Sequence, residues 1–96
     1  MVITEEMRRV AQKICQRIRT SCSEAAMEDP SLDADEMFND EQMLTDLLGD
    51  AIYDVANDLD GRLAVIAALK LTENFSAWDN ALVILENNFR RQNGEK

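Results

Sequence analysis

The sequence predicts an all-α fold, a single domain of four helices arranged as an antiparallel bundle. Three observations carry that expectation. Apolar residues recur at intervals of three and four, so at about 100° per residue they gather on one side of each segment. Helix-starting residues stand just ahead of these segments. The composition is that of an ordinary globular chain, with 46% hydrophobic residues, one proline and three glycines in 96 residues, which argues against disorder throughout.

The first helix is expected over residues 5–27. Thr4 caps it, Glu5 and Glu6 meet the positive end of the helix dipole, and Met7, Val10, Ala11, Ile14, Cys15, Ile18, Cys22 and Ala25 form its apolar face. Residues 28–39, containing "EDPSLDADEMF", break the pattern at Pro30 and read as an acidic, mobile loop with a short helical turn near Ala34 to Phe38. A second helix is expected over 40–59. Asn39 and Gln42 make a capping box there, Phe38 and Met43 a hydrophobic staple, and Leu44, Leu47, Leu48, Ala51, Ile52, Val55 and Leu59 the buried face. Gly61 suits the left-handed position after the helix end, and Asp58 or Asp60 is a candidate cap for the next helix.

The third helix, 62–71, is apolar on nearly every side and so must be buried on nearly every side; its alanines favour helix over strand. The last, 77–91, starts near Ser76 and Asp79 and buries Trp78, Ala81, Leu82, Leu85 and Phe89. Val83 and Ile84 lie off that face, and a symmetric homodimer through them is one way to cover the surplus apolar surface.

Charge is distributed unevenly. Residues 1–23 carry five bases against two acids, residues 24–60 carry thirteen acids and no base, and residues 61–96 carry five bases against four acids, for a net charge of −9. Such a field repels nucleic acid and anionic membrane and attracts basic proteins. No apolar run approaches the roughly 20 residues of a membrane span, and the N-terminus lacks a signal pattern, so the expectation is a cytoplasmic protein. There is no histidine, which removes imidazole-based catalysis and His-ligated zinc. Cys15 and Cys22, about 10 Å apart along one helix, are beyond disulfide reach and read as reduced core thiols.

The stretch "TDLLGDAIYDVANDLDGR" sets Asp46, Asp50, Asp54 and Asp58 four residues apart. Each like-charged pair at this spacing costs about 0.2–0.5 kcal/mol. A short aspartate holds its carboxylate close to the backbone with fewer rotamers than glutamate, giving a preorganised acidic surface. Asp46 and Asp50 are expected to point outward with Tyr53, the chain's only tyrosine, and Asp54 and Asn57 beside them; Glu36 and Asp40 extend the acidic surface. An exposed aromatic among acids is a candidate interface anchor. The opposing reading pairs this stripe with the basic stripe Arg9, Lys13 and Arg17, Arg17 facing Asp46 and Arg9 facing Asp54.

These features point to a non-enzymatic protein, without cofactor or metal, that binds a basic partner and inhibits or neutralises it, the acidic helix acting as a mimic of nucleic-acid phosphate. The aspartates repeat every roughly 6 Å of helix rise, whereas one DNA strand places a phosphate every roughly 3.4 Å. The second helix alone is therefore a sparse copy. The alternative is a helical homodimer or adaptor whose acidity serves solubility. A third reading, a magnesium-dependent all-α nucleotide hydrolase, would use Glu36/Asp40 and Asp50/Asp54 but needs a matching acid pair on another helix. A calcium loop at Asp58, Asp60 and Gly61 fails because Ala56 and Ala67 stand where two carboxylates are needed.

Overall fold

Thr4 starts the first helix by accepting the Met7 backbone N–H on its hydroxyl at 3.1 Å, which satisfies one of the four N–H groups a helix start leaves open. The computed structural model describes residues 3–94. These form five α-helices and no strand: α1 (Glu5–Glu28), α2 (Ala34–Phe38), α3 (Glu41–Val55), α4 (Leu59–Thr72) and α5 (Ser76–Gly94). The core-facing residues of α1 are Ala11, Ile14, Cys15, Ile18 and Cys22, the stripe expected from a 3.6-residue period.

After α1 the helical turn expected near Ala34 to Phe38 is present as α2. Asp33 caps α2 through the backbone N–H of Asp35 at 2.8 Å, and α2 delivers Phe38 into the core, 6% exposed. There Phe38 meets Phe75 and Trp78 with ring centroids 5.3 and 5.8 Å away, and the Arg19 guanidinium lies 4.1 Å from its ring centroid. The buried aromatic ties down a segment whose polar composition suggested mobility. Because Asn39 closes α2, donating its backbone N–H to Glu36, it is not free to cap the next helix as the sequence suggested. Asp40 does so instead, accepting from Gln42 and Met43 at 3.0 and 3.2 Å.

The larger departure lies at residues 56–58. The helix expected over 40–59 ends at Val55, and the one expected over 62–71 begins at Leu59. Ala56 and Asp58 both take extended backbone. Asp58 caps α4, its carboxylate accepting the Gly61 N–H at 2.7 Å. Gly61 therefore sits inside the first turn of α4 rather than past a helix end, and no glycine among the described residues has positive φ. Its lack of a side chain matters for a different reason: a Cβ there would lie 2.8 Å from the capping oxygen.

Helices α1 and α4 pack together most extensively, followed by α3 and α5, with α4 against α5 closing the core. Lateral contacts fix the directions. Met7 and Val10 lie near Ala64 and Val65, and Arg19 reaches Glu73, so α1 and α4 run in the same sense. Glu41 meets Asn80 and Tyr53 meets Phe89 and Gln92, so α3 and α5 also run in the same sense. The sequence expectation of antiparallel neighbours throughout does not hold for these two pairs: short connections make consecutive helices antiparallel, and here the most extensive contacts join helices one step removed, setting the short α2 aside. Trp78 is fully buried between the layers with Leu44, Leu48, Ile52, Ile66, Leu69 and Leu82. Its indole N–H is satisfied by the Leu69 carbonyl at 2.8 Å, as burial of that donor requires.

Asp58→Ala is expected to lower stability by about 1 kcal/mol, the usual worth of an N-cap. Gly61→Ala, a gain of about 1 kcal/mol in an unconstrained helix, is expected to destabilise the protein because it displaces the capping carboxylate. In the Asp58→Ala background the same substitution should turn stabilising. Urea denaturation of the wild type, both single variants and the double variant reads that change of sign.

Candidate functional site

Steps of four and three residues keep Asp46, Asp50 and Tyr53 within about 60° of one another around α3. All three are exposed. The rigid placement of this face comes from the other side of the helix, where Leu44, Leu48, Ala51 and Ile52 are buried. Gly49 faces α5, and a Cβ there would meet Leu85 Cδ2 at 3.3 Å, so the missing side chain allows the close approach of the two helices.

Tyr53 is 44% exposed but already engaged within the molecule. Its ring meets Phe89 edge-on, centroids 5.2 Å apart at 85°, a favoured aromatic geometry. Arg62 covers it with the guanidinium carbon 4.2 Å from the ring centroid, and its hydroxyl donates to Gln92 Oε1 at 2.8 Å. Arg62 also donates through Nε to the Ala56 carbonyl at 3.3 Å. The phenol is thus half buried beside α5, with one edge left to solvent. No local sequence pattern marks Phe89, Gln92 and Arg62 as its neighbours. The detectable signal is Gly49, one turn earlier, which marks the side on which a helix comes close.

The remaining site residues divide. Asp54 forms an ion pair with Arg17 at 3.2 Å, both side chains about 60% exposed, a geometry worth roughly 0–1 kcal/mol. The Asp46 and Asp50 side chains have no hydrogen bond or ion pair among the described residues. Asn57 falls in the break after α3, so it does not extend the helical stripe. Asp40 is occupied by capping, and Glu36 is exposed in the first turn of α2.

The basic stripe of α1 does not pair with α3 in the expected register. Arg17 meets Asp54 rather than Asp46, and Arg9 pairs with Glu5 of its own helix at 3.7 Å. Helices α1 and α3 run in opposite senses, so placing Arg17 opposite Asp54 carries Arg9 past the end of α3. The same offset leaves Asp46 toward the C-terminal end of α1, beyond its basic residues. Val83 and Ile84 are 47% and 36% exposed, about 100° apart on α5. Both lie on the solvent side of the helix.

No group of three or more histidine, cysteine, aspartate or glutamate side chains among the described residues is placed to hold a metal ion. Asp50/Asp54 and Glu36/Asp40 therefore meet no third ligand. A polar cluster that includes a thiol lies elsewhere: Glu73 accepts from Arg19 at 2.6 Å and from the Cys15 thiol at 3.4 Å. Burial, then the hydrogen bond to Glu73, push the Cys15 thiol above its ordinary value of 9.0, and burial does the same for Cys22. Both thiols are free and held in the protonated form, the opposite of what a nucleophilic cysteine requires.

The chain matches no known protein family, no curated protein and no solved structure. No described helix is long and apolar enough to cross a membrane.

The raised thiol values set a pH dependence. Above pH 9 the unfolded chain releases thiol protons that the folded chain retains, so stability present below pH 9 is expected to fall as pH rises from 9 through the folded-state values. Thermal melts of the Cys15→Ala/Cys22→Ala protein between pH 8 and roughly pH 10.5 should show a shallower decline than wild type.

Proposed function

We propose that the protein is a non-enzymatic binding protein that docks a basic partner on the exposed face of α3, with Asp46 and Asp50 as its charged contacts and the free edge of Tyr53 beside them. The observation that supports this reading best is the lack of internal neutralisation. Among the described residues, one ion pair, Arg17 with Asp54, reaches into the base-free segment of thirteen acids. The field of the other carboxylates therefore acts outward.

Charge complementarity of this kind raises association rates and selects basic partners, while a few central contacts set affinity. A half-covered aromatic held by Phe89, Arg62 and Gln92 loses little rotamer freedom on binding. The partner class is a basic protein, such as one that grips nucleic acid, and occupancy of its basic groove would inhibit or neutralise it. In that role the acids of α3 stand in for phosphates; because they are sparser than phosphates along DNA, Glu36 and Asp40 would supplement them. The acid pairs carry no proposal of a magnesium hydrolase, since they meet no further carboxylate among the described residues.

A homodimer through Val83 and Ile84 is the second reading, favoured by their exposure on α5. It predicts a particle of about twice 10.9 kDa that Ile84→Glu converts to monomer, read by sedimentation.

For the leading reading, a pull-down at low salt should recover a basic partner and lose it near 0.5 M NaCl, where the screening length is about 4–5 Å. Asp46→Lys/Asp50→Lys should abolish recovery at low salt, with the circular dichroism spectrum unchanged because both positions are exposed. Recovery indifferent to salt and to the double substitution would overturn it.

A further inference from the structure

A groove of about 380 Å³ opens where the start of α1 faces the break between α3 and α4. Met7, Val10, Val55 and Ala64 supply apolar surface, and the only charged groups on its lining, among the described residues, are Glu6 and Asp58. Periodicity alone places Val55 in the buried face of the second helix. Because α3 stops there, it is instead 48% exposed. The break thus creates a short apolar trough at the end of the acidic helix, with Asp54 next to Val55 in the chain.

We infer that this groove seats the apolar side of a basic amphipathic helix from the partner protein. The inference rests on the reading that the partner is basic and adds to it the form of the bound segment. The apolar surface calls for aliphatic anchors, and the acidic rim calls for lysine or arginine beside them. Helix-in-groove recognition presents both together, with anchors at i, i+3 or i+4 and i+7. A second copy of this chain is a poor occupant, since the apolar face of its basic helix α1 is already buried in its own core. Seating a helix here would set its basic residues against Glu6 and Asp58, on a side of α3 about 140–180° around the helix from Asp46 and Asp50. Apolar burial contributes a part of the affinity that salt does not screen.

The probe is a synthetic 18-residue leucine–lysine helix, set against a permuted peptide of identical composition with no apolar face. In wild-type protein the amphipathic peptide is expected to shift the Val10, Val55 and Ala64 methyl resonances at low salt and to lose less affinity than the permuted peptide as NaCl is raised. The permuted peptide should bind at low salt only and leave those methyls unmoved. Val55→Asn should weaken the amphipathic peptide about tenfold at low salt, the scale of one lost aliphatic contact. If the two peptides bind alike and shift the same residues of α3, the groove assignment is wrong while the acidic-face reading stands. If neither peptide binds at low salt, both are wrong. Groove methyls that shift with protein concentration alone would assign the groove to a second copy and overturn the inference.

Discussion

A carboxylate 2.7 Å from one backbone amide, Asp58 to Gly61, holds the reversal on which the rest of the structure depends. The reversal divides the apolar residues from Leu44 to Leu69 between two helices, and the cap favours it by about 1 kcal/mol. The break lets α4 turn back and lie between α1 and α5. Arg62, one residue beyond Gly61, reinforces it by reaching back to the Ala56 carbonyl while covering Tyr53 and approaching Phe89. Cap, glycine and arginine thus link the end of α3, the start of α4 and the later part of α5.

That geometry also sorts the charges. Arginines of α1 reach carboxylates at two interhelical points, Arg17 to Asp54 and Arg19 to Glu73. The offset between α1 and α3 leaves Asp46 and Asp50 without a cation. Asp33, Asp40 and Asp58 serve as caps and Asp54 and Glu73 as ion-pair partners, whereas Asp46 and Asp50 at mid-helix on α3 do neither. Like-charge repulsion along α3 costs little because successive aspartates drift around the helix and salt screens them. Burial of the opposite face offsets it.

Much of this is legible in the sequence. Helical class, the Thr4 cap, the inner faces of α1 and α5 and the outward direction of Asp46 and Asp50 follow from local periodicity and cap chemistry, which narrow the cap of α4 to Asp58 or Asp60; the structure selects Asp58. The failures share a cause. Asn39, Gly61 and Val55 belong to patterns that allow more than one register: a tertiary contact, Phe38 entering the core, moves one cap to Asp40, and a local one, the Asp58 cap, moves the helix break ahead of Gly61. The partners of Tyr53 and the parallel sense of α1 with α4 depend on which helices become neighbours, which no window of a dozen residues encodes. The thiol–carboxylate cluster joins Cys15 to Glu73 across 58 positions and is invisible for the same reason.

The pairing of α1 with α4 bears on how the chain is made. An amphipathic helix of 24 residues leaves the ribosome ahead of the other four, yet its main partner comes from residues 59–72, so its greasy side waits uncovered while the intervening segments are synthesised. Translation at about 5–20 residues per second makes that wait a few seconds. Only α2 and α3, whose packing on α1 is less extensive than that of α4, can cover part of it before then.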